Sequence, residues 1–367
     1  MKKIVFFMPF IGGGGVEKNL YLITDFLVDK FKDLRVCTVS NNMKKKFNKK
    51  IKFISPDKSI YNKFNIRLQY IICLFLLFRF LLSNKQSVVI AFQANIYCII
   101  LCKLLNVRII VRSNSSPSGW YHNKLKKFIY KFIISKADKV IVNSMEFKKE
   151  MEKKFNIKVS CIYNPLNKEE IILKSKSGKK DNFFKTKKKL RCLKLLNIGR
   201  LTDQKDQITL LKAAKFLKNK LKFKLLILGK GIRKTELNNF IYNNGLTNIV
   251  KIRDFTQNPY GIIMQSDFFL LSSRYEGLPN VLLEAAVLKK FIISTNCPTG
   301  PKEILLNGKG GDFFEIGNYK DLSDKILKNS INFRKTKSKI VITYKNLKKF
   351  DLKLNLMKYY KLIKLYI

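Results

Sequence analysis

Two carboxylates, Glu276 and Glu284, stand eight positions apart around the turn Gly277-Leu278-Pro279-Asn280-Val281. An apolar, strand-like run, Phe268-Phe-Leu-Leu271, precedes them, and a helical pattern through Ala285, Ala286 and Leu288 follows. Pro279 suits the first turn of a helix, where its missing N–H costs nothing. Glu276 then falls in the loop before that helix and Glu284 about one and a half turns inside it. The backbone N–H groups between them form an anion site. A phosphate on those amides, with hydroxyl groups bonded to each carboxylate, is a combination suited to a sugar nucleotide. Taken alone, the spacing also fits a solvated helix face beside a loop acid.

A second constellation, Gly199-Arg200-Leu201-Thr202-Asp203-Gln204-Lys205-Asp206, follows the strand-like run Leu193–Ile198. Arg200 offers a planar fork for phosphate oxygens and Lys205 a mobile point charge, so the two together would neutralise a diphosphate leaving group. Gly12-Gly13-Gly14-Gly15-Val16-Glu17-Lys18 lies between the first strand and the first helix. It departs from G-x-G-x-x-G and lacks a Walker ending, and a tight turn explains its glycines as well as a phosphate cradle does. Arg112-Ser113-Asn114 follows another strand. His122, the single histidine, neighbours the single Trp. One His makes no zinc cluster. It fits a surface loop or a general base for a hydroxyl.

In their order along the chain these motifs resemble those of the retaining glycosyltransferases of family 4, which have the GT-B fold. Glu276 and Glu284 match the E-x7-E motif, Gly199–Lys205 the donor-diphosphate motif Gly-Arg-Leu-x-x-x-Lys, and Gly-Gly-Val-Glu-Lys the first loop. The double-proline loop Thr295–Ile304 is similar to that of members building surface glycans. The resemblance implies transfer of a hexose or N-acetylhexosamine from a nucleotide-diphosphate donor, a UDP-sugar being favoured, to a glycan or lipid-linked acceptor. It makes Arg200 and Lys205 contacts of the donor phosphates. Glu276 would hold sugar hydroxyls and stabilise positive character near the reacting carbon, and Glu284 would accept the ribose hydroxyls. The backbone of Gly277, Leu278, Pro279, Asn280 and Val281 and the amides of Gly13 and Gly14 face the donor, while Arg112, Asn114 and His122 fall to the acceptor. No cofactor or metal is implied, and the absence of Asp-x-Asp agrees with Arg200 and Lys205 replacing a divalent ion. Lys289-Lys290 depart from the small residue and Gly usual there.

The elements that must position these residues alternate between short β-rich runs and helical patterns. Strands are expected at Ile4–Met8, Leu34–Val39, Val88–Phe92, Val107–Val111 and Lys139–Val142, then at Leu193–Ile198, Phe223–Leu228, Ile249–Ile252, Phe268–Leu271 and Phe291–Ser294. Such alternation predicts an α/β chain with doubly wound parallel sheets. Their continuous apolar character fits burial on both faces. The resemblance implies two Rossmann-like domains facing across a cleft. On that plan residues 1–170 are expected to form the acceptor domain, 171–189 a linker, 190–336 the nucleotide-sugar domain, and 337–367 a helical tail crossing back to the first domain.

Composition adds a strong constraint. Lys and Arg number 74 against 25 acids, a formal +49. Such a field favours nucleic acid, anionic lipid or phosphorylated ligands, although a Lys-, Asn-, Ile- and Phe-rich composition accounts for much of it. A basic nucleic-acid-binding protein remains an alternative class, without an RNP-like or helix-turn-helix signature to support it. A GT-B sugar-nucleotide epimerase is another. Seven unpatterned cysteines read as reduced thiols of a cytoplasmic protein. Ile66–Leu82 is too short and too interrupted by Arg67, Gln69 and Arg79 to span a bilayer, and reads as a buried helix before an interfacial one. Lys124–Lys136 has the pattern of a basic amphipathic helix, which fits an ordinary half-buried helix as well as one that docks the first domain on an anionic membrane at its cytoplasmic face.

Overall fold

The structure is a computed structural model that describes residues 2–57, 61, 64–114, 124–185 and 192–367. The chain divides into two compact units, Met1–Pro165 with Leu352–Ile367, and Leu166–Asp351.

The first unit runs β1 (Ile4–Phe7), α1 (Gly15–Val28), β2 (Leu34–Cys37), β3 (Lys52–Ile54), α2 (Ile66–Leu82) and β4 (Val88–Ala91). It continues through α3 (Asn95–Leu104), β5 (Arg108–Arg112), α4 (Lys124–Ile134), β6 (Lys139–Val142), α5 (Met145–Phe155) and β7 (Val159–Cys161). Its sheet is parallel throughout, in the order β3-β2-β1-β4-β5-β6-β7. Strand side chains alternate between faces. Val5, Phe7, Val89 and Ala91 pack with α2, α3, α4 and α5, whereas Ile4, Phe6, Val88 and Ile90 pack with α1 and the last helix. Covering both faces is what makes β1 and β4 uninterrupted apolar runs.

The second unit runs α6 (Lys168–Ser177), β8 (Leu193–Ile198), α7 (Gln207–Leu217), β9 (Phe223–Leu228), α8 (Lys234–Asn243), β10 (Val250–Arg253) and α9 (Tyr260–Gln265). There follow β11 (Phe268–Leu271), α10 (Asn280–Val287), β12 (Phe291–Thr295), α11 (Pro301–Ile304), β13 (Asp312–Phe314), α12 (Tyr319–Ile331) and α13 (Phe333–Asn346). This sheet is also parallel, ordered β10-β9-β8-β11-β12-β13. α7, α8 and α12 cover one face with Leu210, Leu237 and Leu322 among the buried residues. Because β9 lies on one side of β8 and β11 on the other, the loops after β8 and β11 diverge at a topological switch point, where such sheets bind ligands.

Three expectations change. Lys168–Ser177, placed at the start of the linker region, is helical, capped by Asn167, whose side chain accepts from Glu170 N. The basic tail is not one segment: α13 belongs to the second unit and α14 (Leu352–Lys364) to the first, with Leu356, Tyr359 and Ile363 in the core shared with α1. α2 is not buried all round. Gln69, Cys73, Leu77 and Leu81 form its inward stripe, while Ile71 and Phe75 face outward. Among the described residues no helix is long and apolar enough to cross a membrane. None of the seven cysteines is joined in a disulfide.

Candidate active site

The candidate site is built at the ends of β8, β11 and β12, three neighbours in the second sheet. After β8 a short 3-10 turn, Asp203–Lys205, is followed by Asp206 in the left-handed region, which starts α7. Ser272, just past β11, donates through Oγ to the Lys205 carbonyl at 2.7 Å. Gln204 binds the same second loop, its Nε2 donating to the Tyr275 carbonyl at 3.0 Å while its own carbonyl accepts from Arg274 N at 2.8 Å. Those bonds hold Lys205 against Glu276. Their Nζ–Oε1 distance is 2.5 Å, with both side chains largely removed from water.

The loop after β12 closes the third side. Thr299 Oγ1 donates to the Glu276 carbonyl at 2.7 Å, and Thr295 Oγ1 to that of Ser273 at 2.6 Å. Gly300 has φ +75°, and a Cβ there would overlap the Gly277 carbonyl oxygen. Only glycine meets both demands. Gly229, after β9, is under a similar demand, since its Cβ would overlap the Gly199 carbonyl at the base of the Arg200 loop. Cys297 is fully buried nearby, and burial, reinforced by the negative charge of Glu276, pushes its thiol up to about 12.

Glu284 sits in the second turn of α10, buried, with Tyr260 donating its hydroxyl to Oε1 at 3.3 Å. Pro279 is the N-cap rather than a first-turn residue, and its side chain offers no acceptor to the helix amides. The amides of the first turn lie at the positive end of the helix dipole. Gly277, Leu278 and Pro279 are buried, while Asn280 and Val281 are half-buried. Arg200 is exposed, its Nη2 reaching Gln204 Oε1 only at 3.5 Å, while its carbonyl accepts from Gln207 Nε2 at 2.9 Å. The second unit thus gathers two cations, two carboxylates and a helix N-terminus. Asp206 lies behind them, fully buried, and desolvation raises its carboxyl despite a bond from Thr209 Oγ1 at 2.9 Å.

The remaining expected site residues belong to the first unit. Gly13 and Gly14 follow β1, Gly14 being the N-cap of α1, and the buried Glu17 folds back so that Oε1 accepts from Gly12 N at 3.3 Å. A carboxylate therefore organises this loop. Arg112, expected to touch an acceptor, is instead wholly buried. Its guanidinium donates to Tyr359 Oη at 2.8 Å, to Asn164 Oδ1 at 2.6 Å and to Asn114, and stacks on Phe92. Arg112 ties β5 to α14, and the half-buried Asn114 is held by it and by the Phe92 carbonyl. His122 lies outside the described residues.

Sequence reasoning passed over Tyr260, Thr299, Ser272 and Gly229. The signal for Ser272 was a polar residue directly after an apolar strand, and for Gly229 a second Gly-containing loop, Gly229-Lys230-Gly231, after β9.

Comparison with known proteins places this geometry. The model for glycosyltransferase family 4 matches residues 13–170, and that for glycosyl transferases group 1 matches residues 178–346. An uncharacterized glycosyltransferase of Methanocaldococcus jannaschii is 33% identical over 54% of this chain and 51% of its own length. A Campylobacter jejuni N-acetylgalactosaminyltransferase, named for a diacetylbacillosaminyl-diphospho-undecaprenol acceptor, is 29% identical over 63% of this chain and 65% of its own. The chain thus spans about half and two thirds of these relatives. The Anabaena protein HepE, solved with UDP and glucose, shares the fold with TM-score 0.76, 16% identity and coverage of 99% of this chain and 100% of that one. With its two parallel Rossmann-like sheets, the chain belongs to the GT-B glycosyltransferases of family 4.

Proposed function

We propose that the protein transfers a hexose or N-acetylhexosamine from a UDP-sugar to a lipid-linked glycan acceptor in surface-glycan synthesis. The observation that carries this reading is the Lys205–Glu276 pair at the switch point between β8 and β11. It sets a cation for diphosphate beside a carboxylate for sugar hydroxyls. The UDP of the fold neighbour and the undecaprenol-linked acceptor in the relative's name support the choice of donor and acceptor.

In this reading Lys205 and Arg200 take the donor diphosphate, aided by the amides at the start of α10. Glu284 and Tyr260 hold the ribose hydroxyls, and Glu276 those of the sugar. The bond from the anomeric carbon to the phosphate oxygen breaks, its electron pair leaving on the diphosphate. The acceptor oxygen forms the new bond on the same face, and its proton leaves with the diphosphate. Cations fixed before the reaction stabilise the charge that develops on the leaving group. No metal is needed for that task. A lipid-linked acceptor sets the enzyme at the cytoplasmic face of a membrane.

The test is product analysis with UDP-sugars and a panel of lipid-linked acceptors, with and without acceptor. Acceptor-dependent product whose anomeric configuration matches the donor supports the reading. Conversion of the donor sugar without acceptor would replace it with epimerase chemistry.

A further inference from the structure

Helices α2, α3 and α4 lie side by side on one face of the first sheet, α3 packing against both others. Each also carries an apolar stripe that points away from the core. On α4 it is Leu125, Phe128, Ile129 and Phe132, at i, i+3, i+4 and i+7, with Phe128 67% exposed, while Tyr130 and Ile134 take the inward side. On α3 the outward residues are Tyr97, Ile100 and Leu104, the last 79% exposed. On α2 they are Leu68, Ile71 and Phe75, continued by Leu82.

Apolar residues at helical spacing ordinarily face a core. Here three adjacent helices satisfy the core with one set and present a second set to the outside, a feature that marks an interaction surface. The three helices contain seven basic residues, Arg67, Arg79, Lys103, Lys124, Lys126, Lys127 and Lys131, and no Asp or Glu, and of these Lys103 is paired with Asp138. That charge selects the partner. Two copies meeting through this face would set cations against cations, a costly juxtaposition. An anionic lipid surface complements both the charge and the apolar stripe, with aromatic rings at the depth of the headgroups. None of the three helices is long and apolar enough to cross a bilayer.

We infer that the outward faces of α2, α3 and α4 together form a docking surface for an anionic bilayer, on which the first unit lies without spanning it. The surface stands on exposure and charge. Its use in delivering a lipid-linked acceptor rests on the proposed transferase reading.

Vesicle flotation with the full chain tests it, using phosphatidylcholine vesicles with and without phosphatidylglycerol and no acceptor lipid. The wild type is expected to float with the anionic vesicles and to be released by salt. Phe128→Ser/Phe132→Ser and Lys126→Gln/Lys127→Gln, both at exposed positions, are each expected to lower partitioning about tenfold with unchanged thermal melts. Equal binding to neutral and anionic vesicles, no binding to either, or wild-type binding by both variants would overturn the inference. So would self-association in sedimentation velocity that the Phe128/Phe132 variant abolishes, since that assigns the face to a second copy. UDP affinity measured on the same samples separates the two readings. Loss of UDP binding with flotation intact counts against the transferase, and the reverse against the surface.

Discussion

Lys205 and Glu276, 71 residues apart in the chain, meet as an ion pair of 2.5 Å with side-chain exposures of only 15% and 8%. Parallel pairing of β8 with β11 brings their loops together, and Ser272, Gln204 and Thr299 fix the two backbones. Each member compensates the other's desolvation, and in the proposed reading each serves one half of a nucleotide sugar. The two charges are thus held ready in a partly dry setting, where electrostatic stabilisation is stronger than in water.

Lys205→Ala and Glu276→Ala are each expected to lower turnover by more than ~100-fold, the scale for removing a group that stabilises transition-state charge. Steady-state rates with an active donor–acceptor pair check this. Wild-type turnover in either variant would remove that residue from the chemistry.

In the proposed reading Glu284 and Tyr260 serve binding rather than the reacting bond. Glu284→Gln is expected to weaken UDP by roughly tenfold or more, the worth of a hydrogen bond to a charged group, and to change turnover little. A variant that loses turnover while keeping its KM would contradict the ribose assignment.

Gly300→Ala should destabilise the second unit by about 2 kcal/mol or more, because the residue combines φ +75° with the crowded Gly277 carbonyl. Urea unfolding measures the loss. A midpoint equal to wild type would mean that the loop after β12 adjusts freely and does not fix Glu276.

Cys297 makes a pH prediction. Its thiol moves from 9.0 to about 12 in the folded chain, chiefly through burial and then through the charge of Glu276. A folded value above the unfolded one means the contribution to stability is complete below pH 9 and is lost as pH rises through 12. Stability should therefore fall over that window, and less steeply in Cys297→Ala. At pH 8 the native thiol should resist alkylation while the unfolded chain reacts.

Much of the fold was legible because both sheets are buried on both faces, so their central strands are continuous apolar runs; Leu193–Ile198 and Phe223–Leu228 fall where the sequence sets them. β3, β7 and β13 were not foreseen. Each is three residues long and lies at a sheet edge, where one side has no neighbour and no apolar run is required. At the site, the E-x7-E spacing and the Arg200–Lys205 loop were visible as motifs. The ion pair was not, since nothing local to either residue reports a partner 71 positions away. Arg112 misled for a related reason: an Arg after a strand looks like a ligand group until Tyr359 and Asn164 arrive from distant segments.

Calorimetric titration of the wild type and of Lys205→Ala with UDP and with uridine, in the presence of a metal chelator, tests the central claim most directly. The wild type should bind UDP without metal and much more tightly than uridine. In Lys205→Ala most of that difference should be gone, while uridine binding stays the same. Equal affinity of the wild type for UDP and uridine, or UDP binding by Lys205→Ala at the wild-type level, would contradict a diphosphate site built on the Lys205–Glu276 pair.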